Sequence, residues 1–324
     1  MKSLIDRIFD IHDEASFNRC ALDVYDFQVE HVALYREYIA HLNRKRPNHA
    51  SEIPHLPISF FKSHSIVASG FPIQKTFLSS GTGNQTRSKH AVVDLQLYER
   101  SFFHTYRKFI GIPEDQLIFA LLPNYVSQGD SSLVYMVDHL IDASKHELSG
   151  YYLTSFNALL QAIEQGRAVG KKMVLFGVSY ALLDLAELKP DLHDVLVIET
   201  GGMKGNRPEL TKEELHRSLM NGFSCSYIAS EYGMCELLSQ AYSDEDGLFT
   251  FPNWMKCTLR DIQDPFAGVS LNKTGGVNIT DLANLYSCAF IETQDLGRMI
   301  GGKLKLMGRF DQSDIRGCNL LLSN

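Results

Sequence analysis

The chain has 324 residues, 44% hydrophobic and 21% charged, with a formal net charge of −7. Such a composition describes a globular protein able to bury one large core or two ordinary ones, and the acidic balance argues against nucleic acid, whose phosphates ask for a cationic surface. Six cysteines without a CxxC pair and twelve histidines without HExxH spacing exclude a disulfide framework and a motif-defined metal centre; a reducing cytoplasm fits.

At the N-terminus, Asp6, Arg7 and Asp10 interrupt any apolar core that a signal peptide would need. The most apolar later run, Met173 to Ala186, is too short to cross a bilayer and carries Asp184, so no membrane span is expected. Residues 1–48 read as a helical segment packed on the main domain: Leu4, Ile5, Ile8 and Phe9 recur at helical spacing, and Val24, Phe27, Val32, Leu34, Tyr35, Tyr38 and Ile39 continue apolar faces. Pro47, Pro54 and Pro57 break that pattern, and Leu56 to His64 reads as extended chain.

Phe77 to His90 then passes from an apolar pair through Ser79-Ser80-Gly81-Thr82-Gly83 to Arg87 and Lys89. Gly81 and Gly83 permit positive φ and close approach, the hydroxyls donate, and the cations can meet phosphate oxygens. Read alone, the stretch fits a phosphate cradle or a Ser/Gly turn between two strands equally.

Beyond it, strand-like and helix-like segments alternate. Gln116 to Leu122, Met173 to Val178 and Val195 to Glu199 read as strands, and Ser131 to Ala143, Phe156 to Glu164 and Ala181 to Leu188 as helices. A further helix runs from Lys212 to Met220, with Thr211 and Glu214 at capping-box spacing. The alternation predicts an α/β fold with helices around a mainly parallel sheet, spanning 49–246, with function at the carboxyl ends of strands. From Gly247 helical periodicity fades, and 247–324 reads as a smaller β-rich region. Two strand ends are unusual. Glu199-Thr200-Gly201-Gly202 closes one in glycines, and Glu231-Tyr232-Gly233-Met234-Cys235-Glu236 closes another with a ring, a glycine and a carboxylate. Each alone also fits an ordinary turn or a packed side chain.

Taken in order, these segments resemble the motifs of the adenylate-forming superfamily. Ser79 to Gly83 is similar to its phosphate loop, Gly201-Gly202 to its adenine-side loop, and Tyr232 to Glu236 to its aromatic-Gly-x-Thr-Glu motif. Thr293-Gln294-Asp295 is similar to its ribose-binding segment, and Gly308-Arg309-Phe310-Asp311 to its hinge. Within the superfamily, Pro57 to His64, Glu199 to Gly205, Ser230 to Met234 and Ile315 to Cys318 resemble the Lux-type acyl-protein synthetases over roughly residues 50–324. Departures are Cys235 for a threonine, Gln294 for a glycine, and Ile291-Glu292 for Tyr-Arg.

The resemblance implies ATP-dependent activation of a fatty or other carboxylic acid to acyl-AMP, then transfer to a cysteine thiol near the C-terminus, here Cys318. An acyl-acceptor protein, a reductase or acyltransferase, would be the partner. By the same resemblance, Ser79, Ser80, Gly81, Thr82 and Gly83 hold phosphates, Gly201, Gly202 and Tyr232 the adenine, and Asp295 with Arg309 the ribose. Glu236 holds Mg²⁺. The chain stops at the hinge, so the mobile C-terminal domain and its lysine are expected to be absent, leaving Lys89, Arg87 or Lys204 as the cation at the reacting carboxylate. Coenzyme A or a carrier protein as acceptor, and a non-catalytic subunit, are the alternatives.

Overall fold

The computed structural model describes residues 3–80, 86–123, 129–153, 155–203, 207–208, 210–270 and 272–309. Helices α1 (Leu4–Phe9), α2 (Glu14–His31) and α3 (Ala33–Leu42) are followed by β1 (Leu56–Pro57), the single turn α4 (Phe60–Ser63), and the antiparallel pair β2 (Lys75–Leu78) and β3 (Lys89–Val92). The alternating part comprises α5 (Leu95–Phe109), β4 (Gln116–Leu121), α6 (Ser132–Ser144), β5 (Gly150–Tyr151), α7 (Phe156–Val169), β6 (Lys172–Val178), α8 (Ser179–Ala186), β7 (Val195–Thr200), α9 (Lys212–Phe223) and β8 (Ala229–Tyr232). The strands β9 (Ala241–Ser243), β10 (Leu248–Thr250), β11 (Met255–Arg260), β12 (Gly275–Asp281), β13 (Phe290–Ile300) and β14 (Lys303–Arg309) follow.

Strands β5, β4, β6, β7 and β8 lie side by side in parallel. Every residue of β4 is buried, as expected for a parallel strand covered on both faces. The sheet continues through antiparallel neighbours β9, β10, β14, β13, β12 and β11, while β1 joins β13 in parallel. The α/β class read from the alternation is therefore present, with the antiparallel strands hydrogen-bonded onto the parallel set through β8 and β9.

Local chemistry sets the helix ends. Asp94, Ser131 and Ser155 accept the first-turn amides of α5, α6 and α7, and Thr211 with Glu214 completes the capping box of α9. The N-terminal helices are pinned from the far end of the chain. The buried Gln28 amide donates to the carbonyls of Asn284 at 2.8 Å and Leu285 at 3.1 Å, and its oxygen accepts from Ala289 N–H. Residues 56–64 depart from the extended reading: after Ile58 N–H donates to Glu292 O, the chain turns, Phe61 N–H donates to Ile58 O, and Phe61 buries completely. Burial of that ring outweighs the β-like composition. Among the described residues, no helix is long and apolar enough to cross a membrane.

Helices α8 and α9 approach at Gly222, where a Cβ would lie 2.6 Å from Ala186 Cβ and 2.9 Å from Ala186 O. Backbone there cannot yield as a flexible side chain can. Gly222→Ala is therefore expected to destabilise the fold by about 1–3 kcal/mol despite its gain in helix propensity, measured by urea unfolding. An unchanged midpoint would refute the close approach.

Candidate functional site

The end of β8 and the middle of β13 meet through one hydrogen bond. Tyr232 Oη donates to Asp295 Oδ2 at 2.7 Å, with both side chains buried. Asp295 opposes Arg309 across the β13–β14 ladder, which brings Arg309 Nε to 3.4 Å from Asp295 Oδ1. Burial raises the Asp295 pKa, while Arg309 and the Tyr232 hydroxyl oppose the shift. At Gly233 a Cβ would stand 2.2 Å from Glu231 Oε1, so a side chain there would have to displace that carboxylate.

Three residues later lies Glu236, 5% exposed. Its backbone is fixed from several sides. Asn284 Nδ2 donates to Glu236 O at 2.7 Å, and His90 Nδ1 donates to Cys235 O at 2.8 Å. Beyond it, Asp281 accepts from the amides of Leu238 and Ser239, each at 2.9 Å, and from Ser239 Oγ at 2.6 Å. Burial raises the Glu236 pKa; the Ser88 hydroxyl and Arg309 pull it down, and Asp295 adds to the rise. The carboxyl thus sits within electrostatic reach of both the β2–β3 loop and the Asp295 pair.

That loop is closed at its neck. Ser79 N–H donates to Ser88 O at 3.0 Å, Ser88 N–H donates to Ser79 Oγ at 2.8 Å, and Arg87 Nε donates to Ser79 O. Gly81, Thr82 and Gly83 lie outside the described residues, as do Lys204 and Cys318. Ser80 is described beside Ser79 and is exposed. Lys89, paired with Leu78, is exposed on the opposite face of its strand from His90, whose ring is buried. The His90 Nδ1 proton is committed to Cys235 O, leaving Nε2 as an acceptor, and burial pushes the ring's pKa down to about 4.

The neighbouring strand end carries the glycine pair. Gly201 has φ of +74°, which only glycine adopts without strain, and a Cβ on Gly202 would meet nothing. Beneath them lies a buried array that motif order does not single out. Glu199, fully buried at the end of β7, is paired with Lys212 of α9 and accepts from Ser179 Oγ at 3.0 Å and from Ser230 Oγ. His216 Nε2 lies 3.5 Å from the same carboxylate. Burial alone would raise the Glu199 pKa, but Lys212, His216 and Ser230 outweigh it and hold it at about 2. Glu231, by contrast, accepts only the Thr200 hydroxyl at 2.5 Å in the described structure, and burial pushes it up to about 7. The available signal is a charge at the end of Val195-Leu196-Val197-Ile198, an otherwise apolar run.

The structure therefore brings together Tyr232, Asp295, Arg309, Glu236, Ser79 and Ser88, with Gly201 on the adjacent strand; Lys89 points elsewhere. Among the described residues, no group of three or more His, Cys, Asp or Glu side chains could hold a metal ion. Glu236 fits a metal that takes one carboxylate and draws its remaining ligands from phosphate, as Mg²⁺ does.

No family model matches the chain, and no curated protein does. Among solved structures, the chain is similar to an open conformation of 2-hydroxyisobutyryl-CoA ligase in complex with 2-HIB-AMP and CoA. The TM-score is 0.62 at 11% identity, over 92% of this chain and 71% of that one. It is also similar to apo MatB from Rhodopseudomonas palustris, with a TM-score of 0.53 at 16% identity, over 73% of this chain and 48% of that one. A third likeness is to O-succinylbenzoate coenzyme A synthetase (MenE) from Bacillus subtilis in complex with AMP, with a TM-score of 0.51 at 16% identity, over 75% and 50%. The chain spans about half the length of the MatB and MenE chains it matches. The likeness is one of fold: the mixed α/β architecture of this chain is shared with these ligase structures.

Removing the cation beside Glu199 tests the buried array. The native pKa of Glu199 lies below its unfolded value, so its contribution is complete above pH 4.5 and is lost as the pH falls toward 2. Lys212→Met is expected to cost about 3–5 kcal/mol at pH 7, since it leaves a buried carboxylate without its main partner. That loss should shrink toward pH 4 as Glu199 protonates in the variant, which chemical unfolding at the two pH values measures.

Proposed function

We propose that this chain activates a carboxylic acid, of fatty-acid type, by forming an acyl-adenylate, and then carries the acyl group on Cys318 as a thioester for delivery to a partner protein. The observation supporting this reading is the Tyr232–Asp295–Arg309 contact set beside Glu236 and Ser88. Residues from three separated segments, each similar to a different adenylate-forming motif, converge there, next to Ser88, which pairs with Ser79 of a fourth. The fold likeness to ligases, one of which held an acyl-AMP, supports the same chemistry.

In the first step a carboxylate oxygen attacks the α-phosphorus of ATP; the bond to the bridging oxygen breaks and pyrophosphate leaves with that electron pair. Ser79, Ser80, Gly81, Thr82 and Gly83 hold the phosphates, Gly201, Gly202 and Tyr232 border the adenine, and Asp295 accepts from the ribose hydroxyls while Arg309 opposes the rise that burial imposes on its pKa. Mg²⁺, held by Glu236, would neutralise charge on the phosphate oxygens. Lys89, Arg87 and Lys204 are the candidates for the cation at the substrate carboxylate. Lys89 must turn inward for that role.

In the second step the Cys318 thiolate attacks the acyl carbonyl carbon, the bond to the phosphate oxygen breaks, and AMP departs. Beside the ribose segment, Glu292 lies 3.4 Å from Arg260, and Arg260 also donates to the carbonyls of Val277 and Thr293. A carboxylate where the resemblance leads one to expect arginine is thereby matched to a cation from β11.

Glu236→Gln keeps the side-chain size but removes the charge. It is expected to lower Mg²⁺-dependent pyrophosphate release on the order of a hundredfold while the far-UV circular dichroism stays unchanged. Equal rates in the variant and the parent would remove Glu236 from the metal role. For the second step, intact-protein mass spectrometry after incubation with ATP, Mg²⁺ and a long-chain fatty acid should show a thiol-releasable acyl adduct that Cys318→Ser lacks. An adduct persisting in the variant would overturn the acceptor assignment, and acyl-CoA formed on adding coenzyme A would favour that acceptor instead. Absence of both pyrophosphate release and nucleotide binding would leave a non-catalytic subunit.

A further inference from the structure

The β2–β3 pair has two faces, one of them turned into the core. Cross-strand register places Phe77 opposite His90, and both are buried in the core. The alternate residues, Thr76 opposite Ala91 and Leu78 opposite Lys89, belong to the other face. There they meet the turn α4 and its continuation, Lys62-Ser63-His64, across a cleft of about 240 Å³ lined by Lys62, Ser63, His64, Thr76, Lys89 and Ala91 among others. That is room for about eight waters at their liquid volume.

The chemistry of the lining is one-sided. No aspartate or glutamate lines the cleft among the described residues. Lys62 and Lys89 make no salt bridge to any described residue, whereas Lys212, Lys256, Lys303 and Lys305 each pair with a carboxylate. In a chain of net charge −7, two unneutralised lysines on one concave surface are a local reversal of sign. A cleft focuses their field, and Ser63, Thr76 and the His64 ring, itself bonded to Ser63 Oγ at 2.8 Å, supply further polar groups. Lysine is a compact point charge suited to phosphate, and short hydroxyl side chains beside it complete the coordination of a tetrahedral oxyanion.

We propose that this cleft binds a multiply charged phosphate group, outside the nucleotide position assigned above. The ligand class is inorganic pyrophosphate or a phosphate monoester. The inference stands on the cleft and does not require the acid-activating reading.

Isothermal titration of the full chain at low ionic strength tests it, with pyrophosphate and glycerol 3-phosphate in separate arms and sodium sulfate as the control for ionic strength. Saturable binding is expected, weakened about tenfold by Lys62→Ala and lost in Lys62→Glu. Thermal melting of both variants checks that they remain folded. Pyrophosphate binding that persists with a saturating non-hydrolysable ATP analogue places the two sites apart. Tighter binding of pyrophosphate assigns the cleft to a released product, and tighter binding of the monoester assigns it to a phosphorylated ligand. No saturable binding in either arm, or binding unaffected by Lys62→Glu, would overturn the proposal. A protein that fails to bind nucleotide but shows the Lys62 dependence would lose the activation reading and keep this one.

Discussion

Asp295 is a carboxylate taken out of water in the middle of a strand, and its burial is tolerable because two other elements reach it. Tyr232 donates from the end of the parallel set and Arg309 approaches from the next antiparallel strand. A hydrogen bond to a charged group of this kind contributes about 1.5–3 kcal/mol, and losing a partner costs more because the charge stays behind. The bond therefore fixes where β8 lies relative to β13. Glu236, four residues beyond the Tyr232 that ends β8, inherits its position from that constraint.

The same end of the sheet holds further buried carboxyls in different states. Lys212 keeps Glu199 ionised, whereas Glu231, one strand away, accepts from the Thr200 hydroxyl and burial raises its pKa. Separating neighbouring carboxyls in this way avoids two uncompensated negative charges beneath a loop where polyanionic phosphates are proposed to bind. Asp281 and Asn284 perform a third task, turning the Glu236 carbonyl and the amides of Leu238 and Ser239 that follow it into fixed points. Positions around the candidate metal ligand are thus set by hydrogen bonds that themselves touch no ligand.

Much of this architecture is legible in sequence because it rests on local signals. Apolar runs mark β4, β6 and β7, and Thr211 with Glu214 marks the start of α9. Tyr232, Asp295 and Arg309 can be singled out by motif order, though only the structure supplies their mutual contacts. Other features depend on pairings no local pattern encodes. Gln28 bonds to residues 256 and 257 positions away, and Lys212 and His216 meet Glu199 because α9 packs under β7. Lys89 belongs with the phosphate loop by proximity in sequence, yet the alternation of β3 turns it to the far face. The helical turn at Phe60–Ser63 has no local signature because burying Phe61 is a tertiary effect.

A twelve-stranded sheet must end somewhere, and its two borders differ. On one side β5 offers only Gly150 and Tyr151, too little backbone to template another chain. On the other, β11 is six residues long, but Lys256 projects from it to pair with Glu14 and sits 4.1 Å over the Phe17 ring, so α2 straps across that border. A short ribbon and a strapped one leave little open ladder for unplanned strand addition. Among the described residues, each border of this sheet is thus closed by a different device, one by brevity and the other by a helix.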